Sequence, residues 1–511
     1  MSLQPVVSIA SGQVRGVPLE AGGAAFRNIP YAASPIGPRR FRPPAPPAPW
    51  TGVRDATSYG PTAPKSPYGA PFDLLLPEPN IPGEDYLNLN VWTPGPAGSA
   101  PVMVWVHGGA FANGSGAVPG YDGTAFARDG VVLVTLNYRL GAEGFLHTDD
   151  EGAVPNLGLL DQVAALGWVR DNISAFGGDP RRVTVFGQSA GAMSIGALLA
   201  MPSAAGLFHR AILQSGAAHH AITPASALLI TRRLAAILDV APTREALGRV
   251  PQSQLLAAQQ QLRTEVTANP DPARWGEVAA NLMPFEPVVD GTVLPRHPAA
   301  AVTDGQTPDI DILVGTNSDE FRLFTVPTGM FDLITEPLAR AVAAGYGLDP
   351  ETALAVYRAG HPDDGCAGLH HRLVTDWFYR IPALRVAEAY AGRRPGSAFV
   401  YEFAWQPPTF NGRLGACHAA ELPFVFDTLD EKGLAGLISP APPAELARAM
   451  HSAWVAFAAT GNPGWPAYSA NRTAEAASRA TMIFDVPSAV VSDPRPAERE
   501  LWRTGGPSTW C

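Results

Sequence analysis

Most of the chain mixes apolar and polar residues without a sustained period. Three runs stand out because they are apolar at nearly every position: Val102-Met-Val-Trp-Val106, Val131-Val-Leu-Val-Thr135 and Val183-Thr-Val-Phe186. Runs with no polar face suit parallel strands covered on both sides. A segment of helical spacing, Leu159–Trp168, lies between the second and third runs, and another, Ala190–Met201, follows the third. Strand–helix alternation of this kind predicts an α/β architecture with a doubly wound, mostly parallel central sheet. Further β-type runs occur at Ala211–Leu213, Ile312–Val314 and Ala398–Phe403. At the start, Val6, Val14 and Val17 surround Ser11-Gly12 and predict a small hairpin. A Pro/Arg-rich loop over 35–50 follows it.

Two stretches break the alternation. Residues about 221–275 are rich in Ala, Leu and Gln, with Thr243 placed to cap a helix, and about 334–390 includes Asp349-Pro350, a cap followed by proline at the first helical position. Both predict helical excursions, over about 221–285 and 321–390, that wall a pocket above the sheet. Leu446, Met450, Ala453, Trp454 and Phe457 recur at helical spacing, and Gly461 ends that helix. No repeat and no clean linker divides the chain, so residues 1–511 are expected to form a single domain with large insertions.

Composition narrows the function. Of 511 residues, 46% are apolar and 16% charged, which fits a globular chain with a large core. The net charge of −10 and the absence of a basic stripe argue against nucleic acid as a partner. No apolar run approaches the roughly 20 residues of a membrane span. The start, Met-Ser-Leu-Gln-Pro-Val-Val-Ser, shows no basic segment leading into an apolar core, so no secretion signal is expected. The cysteines are Cys366, Cys417 and Cys511, an odd number without framework spacing. That pattern fits a reducing cytoplasm or at most one disulfide, and whether Cys366 and Cys417 pair stays open. No Cys/His cluster has zinc-ligand spacing, so neither a metal nor another cofactor is expected.

The chemistry concentrates around Gly187-Gln-Ser-Ala-Gly191. Alone it is equally a small-residue bend. Between an apolar strand and a helix it describes a nucleophile elbow, in which the flanking glycines permit a sharp turn presenting Ser189. Val106-His-Gly-Gly-Ala-Phe111 follows the first apolar run. Its glycines let backbone N–H groups approach a substrate oxygen, as an oxyanion site requires. Of 11 histidines, His418 is best placed for the base, because the nucleophile–acid–histidine order of such folds favours a late position. The acid falls in Ile312-Leu-Val-Gly-Thr-Asn-Ser-Asp-Glu320, where spacing does not choose between Asp319 and Glu320.

The chain resembles the type-B carboxylesterases, the family that includes bacterial para-nitrobenzyl-type esterases, cholinesterases and some fungal lipases. The matching motifs run nearly end to end: Ile29–Ala32, Arg40–Pro43, Glu84–Val91, His107–Phe111, Leu136–Arg139, Asn156–Gln162, Ala175–Pro180, Gly187–Gly191, Gln214–Gly216, Pro287–Gly291, Gly315–Glu320 and His418–Phe426. The resemblance implies the α/β-hydrolase fold. It implies Ser189 as the acylated residue, His418 as base and then acid, and Glu320 as the orienting acid. Gly109, Ala110 and Ala190 would donate to the oxyanion, with Gly108 shaping the loop and Ser215 as a supporting hydrogen-bonding group. It further implies structural ion pairs of Arg40 with Glu84 and of Arg139 with Asp161. A Gly-Gly-Ala-Phe loop is associated in the family with bulky, even tertiary, alcohol groups.

Departures from the family are informative. Many eukaryotic members have cysteine where Tyr86 stands, and no cysteine precedes Cys366 here. Cholinesterases carry a tryptophan within the stretch that here runs from Tyr59 to Asp85 without one. Gln188 replaces the glutamate common before the serine. Together these imply a cytoplasmic bacterial serine carboxylesterase that hydrolyses uncharged carboxylic esters, with a small-molecule ester as its substrate. The same triad would serve a carbamate, amide or lactone hydrolase. A non-catalytic, cholinesterase-like binding protein would be expected to lack a triad member and to carry a secretion signal and disulfides. Oligomeric state is not readable.

Overall fold

The computed structural model describes residues 4–470 and 479–505, so Cys511 lies outside the described residues. The chain divides into two compact units. The first comprises Met1–Tyr68, Glu78–Ala211 and His220–Pro298, and the second Gly69–Pro77, Ile212–His219 and Ala299–Cys511.

The first unit opens with a hairpin of β1 (Val6–Ile9) and β2 (Gly12–Arg15), where the sequence predicts one. Val17 falls instead in β3 (Val17–Pro18), which pairs with β4 (Ala24–Pro30), while β5 (Val53–Asp55) runs beside β2. The unit's main sheet adds β6 (Asn88–Thr93), β7 (Ala100–Val106), β8 (Val132–Leu136) and β9 (Gly178–Gln188). Its strand order is β9-β7-β8-β6-β4-β3. The three apolar runs are the parallel centre, with Val104 level with Val134 on one side and Val185 on the other. Val102 through Val106 are fully buried, as the lack of a polar face demands. The outer pairs, β8 with β6 and β6 with β4, are antiparallel.

Helix Leu157–Asn172 extends the first predicted segment at both ends, and helix Ala190–Leu199 stops two residues short of the second. Further on, Pro224–Leu238, Arg244–Gly248 and Gln252–Ala268 are helical, and Thr243 caps the middle one through its side chain. The ion pair of Arg139 with Asp161 is buried and two-pronged, at 2.7 and 2.6 Å. Arg40 corrects the expectation. Its guanidinium meets Glu143 at 2.6 Å, not Glu84, and also takes the carbonyls of Gly248 and Val250. Glu84 is exposed, whereas Glu143 is sequestered and shared with the Tyr86 hydroxyl, so the guanidinium is drawn to the acid that water does not screen.

In the second unit β10 (Arg210–Gln214), β11 (Asp311–Asn317), β12 (Ala398–Phe403), β13 (Ala480–Phe484) and β14 (Ala489–Ser492) follow in that spatial order. Pairs β11–β12 and β12–β13 are parallel, and β14 closes antiparallel. Helices Glu336–Gly345, Pro350–Gly360, Cys366–Thr375 and Ile381–Arg393 fill the second predicted excursion, with Asp349 capping at 2.9 Å. Helix Ala444–Thr460 ends at Gly461 in the left-handed conformation that only glycine adopts without cost. Cys366 and Cys417 are both free thiols. No described helix is long and apolar enough to cross a membrane.

Candidate active site

The residues around Ser189, the expected nucleophile, belong to the first unit. β9 ends at Gln188 and a helix begins at Ala190, leaving Ser189 alone at the corner with φ 56° and ψ −127°. A non-glycine residue there is strained, and such strain persists only where the surroundings over-determine it. Gly187 and Gly191 show how. A methyl group on Gly191 would lie 2.0 Å from the Val106 carbonyl oxygen, and one on Gly187 2.7 Å from it. The strand, the corner and the helix are thus pressed against the end of β7, and Ser189 remains partly exposed. Gln188, by contrast, is buried.

The loop after β7 lies against this corner. A methyl on Gly108 would come within 2.7 Å of the Gln188 carbonyl oxygen and 3.0 Å of Ser189 Cβ. Gly109 has φ 114°, and Ala110 and Phe111 follow at 52° and 57°, so three successive residues sit in the left-handed half of the map. The Gly109 carbonyl turns inward to accept from Ala112 and Asn113 N–H, at 3.0 and 2.8 Å. The Gly109 and Ala110 N–H groups have no partner among the described residues. Ala190 adds the first N–H of a helix, which has no acceptor within that helix. His107 shapes the loop. Its ring stacks on Tyr138 at 4.4 Å, Nδ1–H donates to the Gly108 carbonyl, and the Tyr138 hydroxyl donates to the His107 carbonyl. Burial lowers its pKa to about 3, so it stays neutral.

The expected acid and base, Glu320 and His418, belong to the second unit. His418 Nδ1 meets Glu320 Oε2 at 2.6 Å. The other carboxylate oxygen accepts the Asn317 N–H at 2.8 Å, and His418 N–H donates to the Glu320 carbonyl. Glu320 has no exposed surface and His418 keeps 5%. Asp319 faces elsewhere, onto Arg322 at 3.0 Å and the Ala416 N–H at 3.2 Å, so the adjacent acids are told apart by their partners. The aromatic faces of Phe324 and Tyr379 flank the imidazole at 5.5 and 4.9 Å. Ser215 is buried with a left-handed backbone, its N–H tied to Gly315 of β11 at 2.8 Å. The hydrogen bond expected of its hydroxyl is not formed among the described residues.

One buried acid was not anticipated. Glu421 accepts from Asn317 Nδ2 at 2.7 Å and from Gln214 Nε2 at 3.1 Å, and Gln214 in turn accepts from the Trp454 indole. Burial and the charge of Glu320 raise its pKa to about 7. The signal was its place three residues after His418, in His-Ala-Ala-Glu. No group of three or more His, Cys, Asp or Glu among the described residues is arranged to hold a metal.

A strained serine between strand and helix, with N–H donors left free beside it, defines the elbow of the α/β-hydrolases. Comparison with known proteins carries this to a family. The sequence model of the Carboxylesterase family matches residues 3–335 and 363–483. The chain belongs to that family, has its α/β-hydrolase fold and is a carboxylic ester hydrolase. It is similar to the para-nitrobenzyl esterase of Bacillus subtilis (strain 168), with 39% identity over 97% of this chain and 98% of that one. It is similar to the phenmedipham hydrolase of Pseudarthrobacter oxydans, with 38% identity over 92% and 94%. Among solved structures, a Geobacillus stearothermophilus carboxylesterase at pH 6.2 superposes with a TM-score of 0.84 at 39% identity, covering 97% of this chain and 99% of that one.

Proposed function

We propose that the ester hydrolysis runs through an acyl-enzyme on Ser189, with His418 as the proton carrier and Glu320 as its orienting acid. Ser189 Oγ attacks the ester carbonyl as His418 Nε2 takes its proton. His418 returns that proton to the departing alcohol. Water, deprotonated by His418, then attacks the acyl-enzyme and releases the acid. The N–H groups of Gly109, Ala110 and Ala190 receive the oxyanion in both steps, and each such donor is worth roughly 3–4 kcal/mol of barrier. The observation that carries the reading is the enclosed 2.6 Å contact of His418 with Glu320, which fixes the tautomer and stabilises the imidazolium.

The buried amide of Gln188, neutral beside the serine, supports uncharged small-molecule esters as substrates. The helical stretches at about 221–285 and 321–390 wall the acyl and alcohol sites of a single catalytic domain in this reading. The two free thiols support a cytoplasmic bacterial setting. The test is Ser189→Ala, which keeps the far-ultraviolet circular dichroism of the wild type and loses hydrolysis of a short-chain nitrophenyl ester. Undiminished turnover in that variant contradicts the proposal.

A further inference from the structure

We infer that Glu78 is a positioning residue for the oxyanion loop, clamping its exit at Asn113-Gly114 from the outside; this rests on the assignment of Gly109 and Ala110 as oxyanion donors. The loop is fixed at its start by the His107–Tyr138 stack and by the contact of Gly108 with Ser189. Its exit is Asn113-Gly114, and there a single carboxylate gathers the donors. Glu78 Oε1 accepts the Gly114 N–H at 2.6 Å, and the two oxygens share Asn113 Nδ2 at 3.2 and 3.0 Å. The Tyr68 N–H also donates to it. Asn113 Nδ2 further reaches the Ser66 carbonyl at 2.8 Å, so segment 66–68 and the loop exit are tied through the same two side chains.

The clamp matters because of the backbone it constrains. Ala110 and Phe111 have no glycine's freedom, yet both sit at positive φ. The Gly109 carbonyl bonded to Asn113 N–H makes residues 109–113 one turn, so whatever fixes Asn113 fixes the direction of the Gly109 and Ala110 N–H groups. Gly114, at φ 95°, has no room for a side chain, since a methyl there would lie 2.3 Å from the Gly108 carbonyl oxygen. The turn therefore closes on itself, and Glu78 is the acceptor that holds it shut from outside.

The charges nearby point the same way. Lys65 is 4% exposed, its ammonium has no hydrogen-bond acceptor among the described residues, and Glu78 is the carboxylate whose charge supports it. Burial raises the Glu78 pKa, while the Gly114 N–H, Lys65, Asn113 and the Tyr68 N–H pull it back. A carboxylate raised by burial costs stability in its ionised form. A purely structural site gains nothing from that cost, whereas preorganised N–H donors do.

The test compares Glu78→Gln, Glu78→Ala and Asn113→Ala with the wild type, using a nitrophenyl butyrate substrate and a trifluoromethyl ketone that forms a tetrahedral adduct. Glutamine keeps one acceptor oxygen and turns an NH2 toward the remaining donors. Glu78→Gln is expected to lower kcat by about tenfold to a hundredfold, with KM within about threefold of the wild type. Ketone affinity should fall by the same factor as kcat/KM. Alanine at 78 should cost more than glutamine. Should that variant not fold, Asn113→Ala, which keeps the carboxylate, should still lose several-fold in kcat at unchanged KM. Wild-type kcat in Glu78→Gln, or a kcat loss without loss of ketone affinity, overturns the inference. The failures separate cleanly. An active Ser189→Ala removes the reading of the site itself, whereas an inactive Ser189→Ala beside a fully active Glu78→Gln removes only the role of Glu78.

Discussion

Two histidines of the second unit each touch a buried glutamate. His418 meets Glu320 at 2.6 Å, and His361 meets Glu498 at 2.7 Å. Distance does not separate them; the remaining partners do. Glu498 also receives Arg380 at 3.1 Å, and Arg380 is bound to Asp376 as well. The Glu498 charge is thus already met by a guanidinium, and its histidine adds a hydrogen bond between helix Pro350–Gly360 and helix Pro496–Gly505. Among the described residues, the Glu320 carboxylate is met by the Asn317 N–H and His418. Its charge is left for the imidazole, as the general-base role proposed for His418 needs. In the proposed mechanism the contact without an arginine, His418–Glu320, serves catalysis, and the contact whose carboxylate an arginine has taken, His361–Glu498, serves structure.

Substitutions at the two pairs should diverge. Glu320→Gln should lower kcat by about 10⁴-fold, the size seen when a triad carboxylate is replaced by its amide, with the fold retained. Steady-state kinetics on a nitrophenyl ester measures it, and a loss under tenfold would erase the distinction. Glu498→Gln should leave kcat within about twofold but cost about 3 kcal/mol of stability, because Arg380 loses a buried partner. Denaturant titration checks that value. Asp161→Asn belongs with Glu498→Gln: a buried arginine loses its carboxylate, stability falls by about 3–5 kcal/mol, and surviving protein keeps its kcat.

An effect confined to a pH window concerns Glu421. Its folded pKa, about 7, lies above the ordinary 4.5, so the folded protein holds a proton that the unfolded chain has released. The Glu421 contribution to stability therefore declines as pH rises from about 4.5 to about 7 and is level above that. The stability of Glu421→Gln relative to the wild type should climb across that window. A difference independent of pH would contradict it.

The parts legible in the sequence are those where local rules and tertiary demands agree. Runs without a polar face became the parallel strands β7, β8 and β9, and glycines flanking Ser189 marked a corner that admits no side chain. What stayed hidden depended on contacts between distant segments. Asp319 and Glu320 are neighbours in a polar turn that spacing does not separate; the family resemblance implies Glu320, and in the structure His418 and Arg322 take different acids. Arg40 finds Glu143 across 103 positions of chain, a choice set by burial and not by spacing. Glu78 and Glu421 carry no periodic signal, because each acts as an acceptor for donors that the fold alone gathers.

The central claim is that Ser189, served by His418 and not by His361, is the residue acylated. A fluorophosphonate that modifies activated serines tests it directly, with peptide mass spectrometry locating the adduct. One adduct per chain on Ser189 is expected, formed at the wild-type rate in His361→Ala and at least about 10³-fold more slowly in His418→Ala. An adduct on another residue, or equal labelling rates in the two histidine variants, would contradict the account.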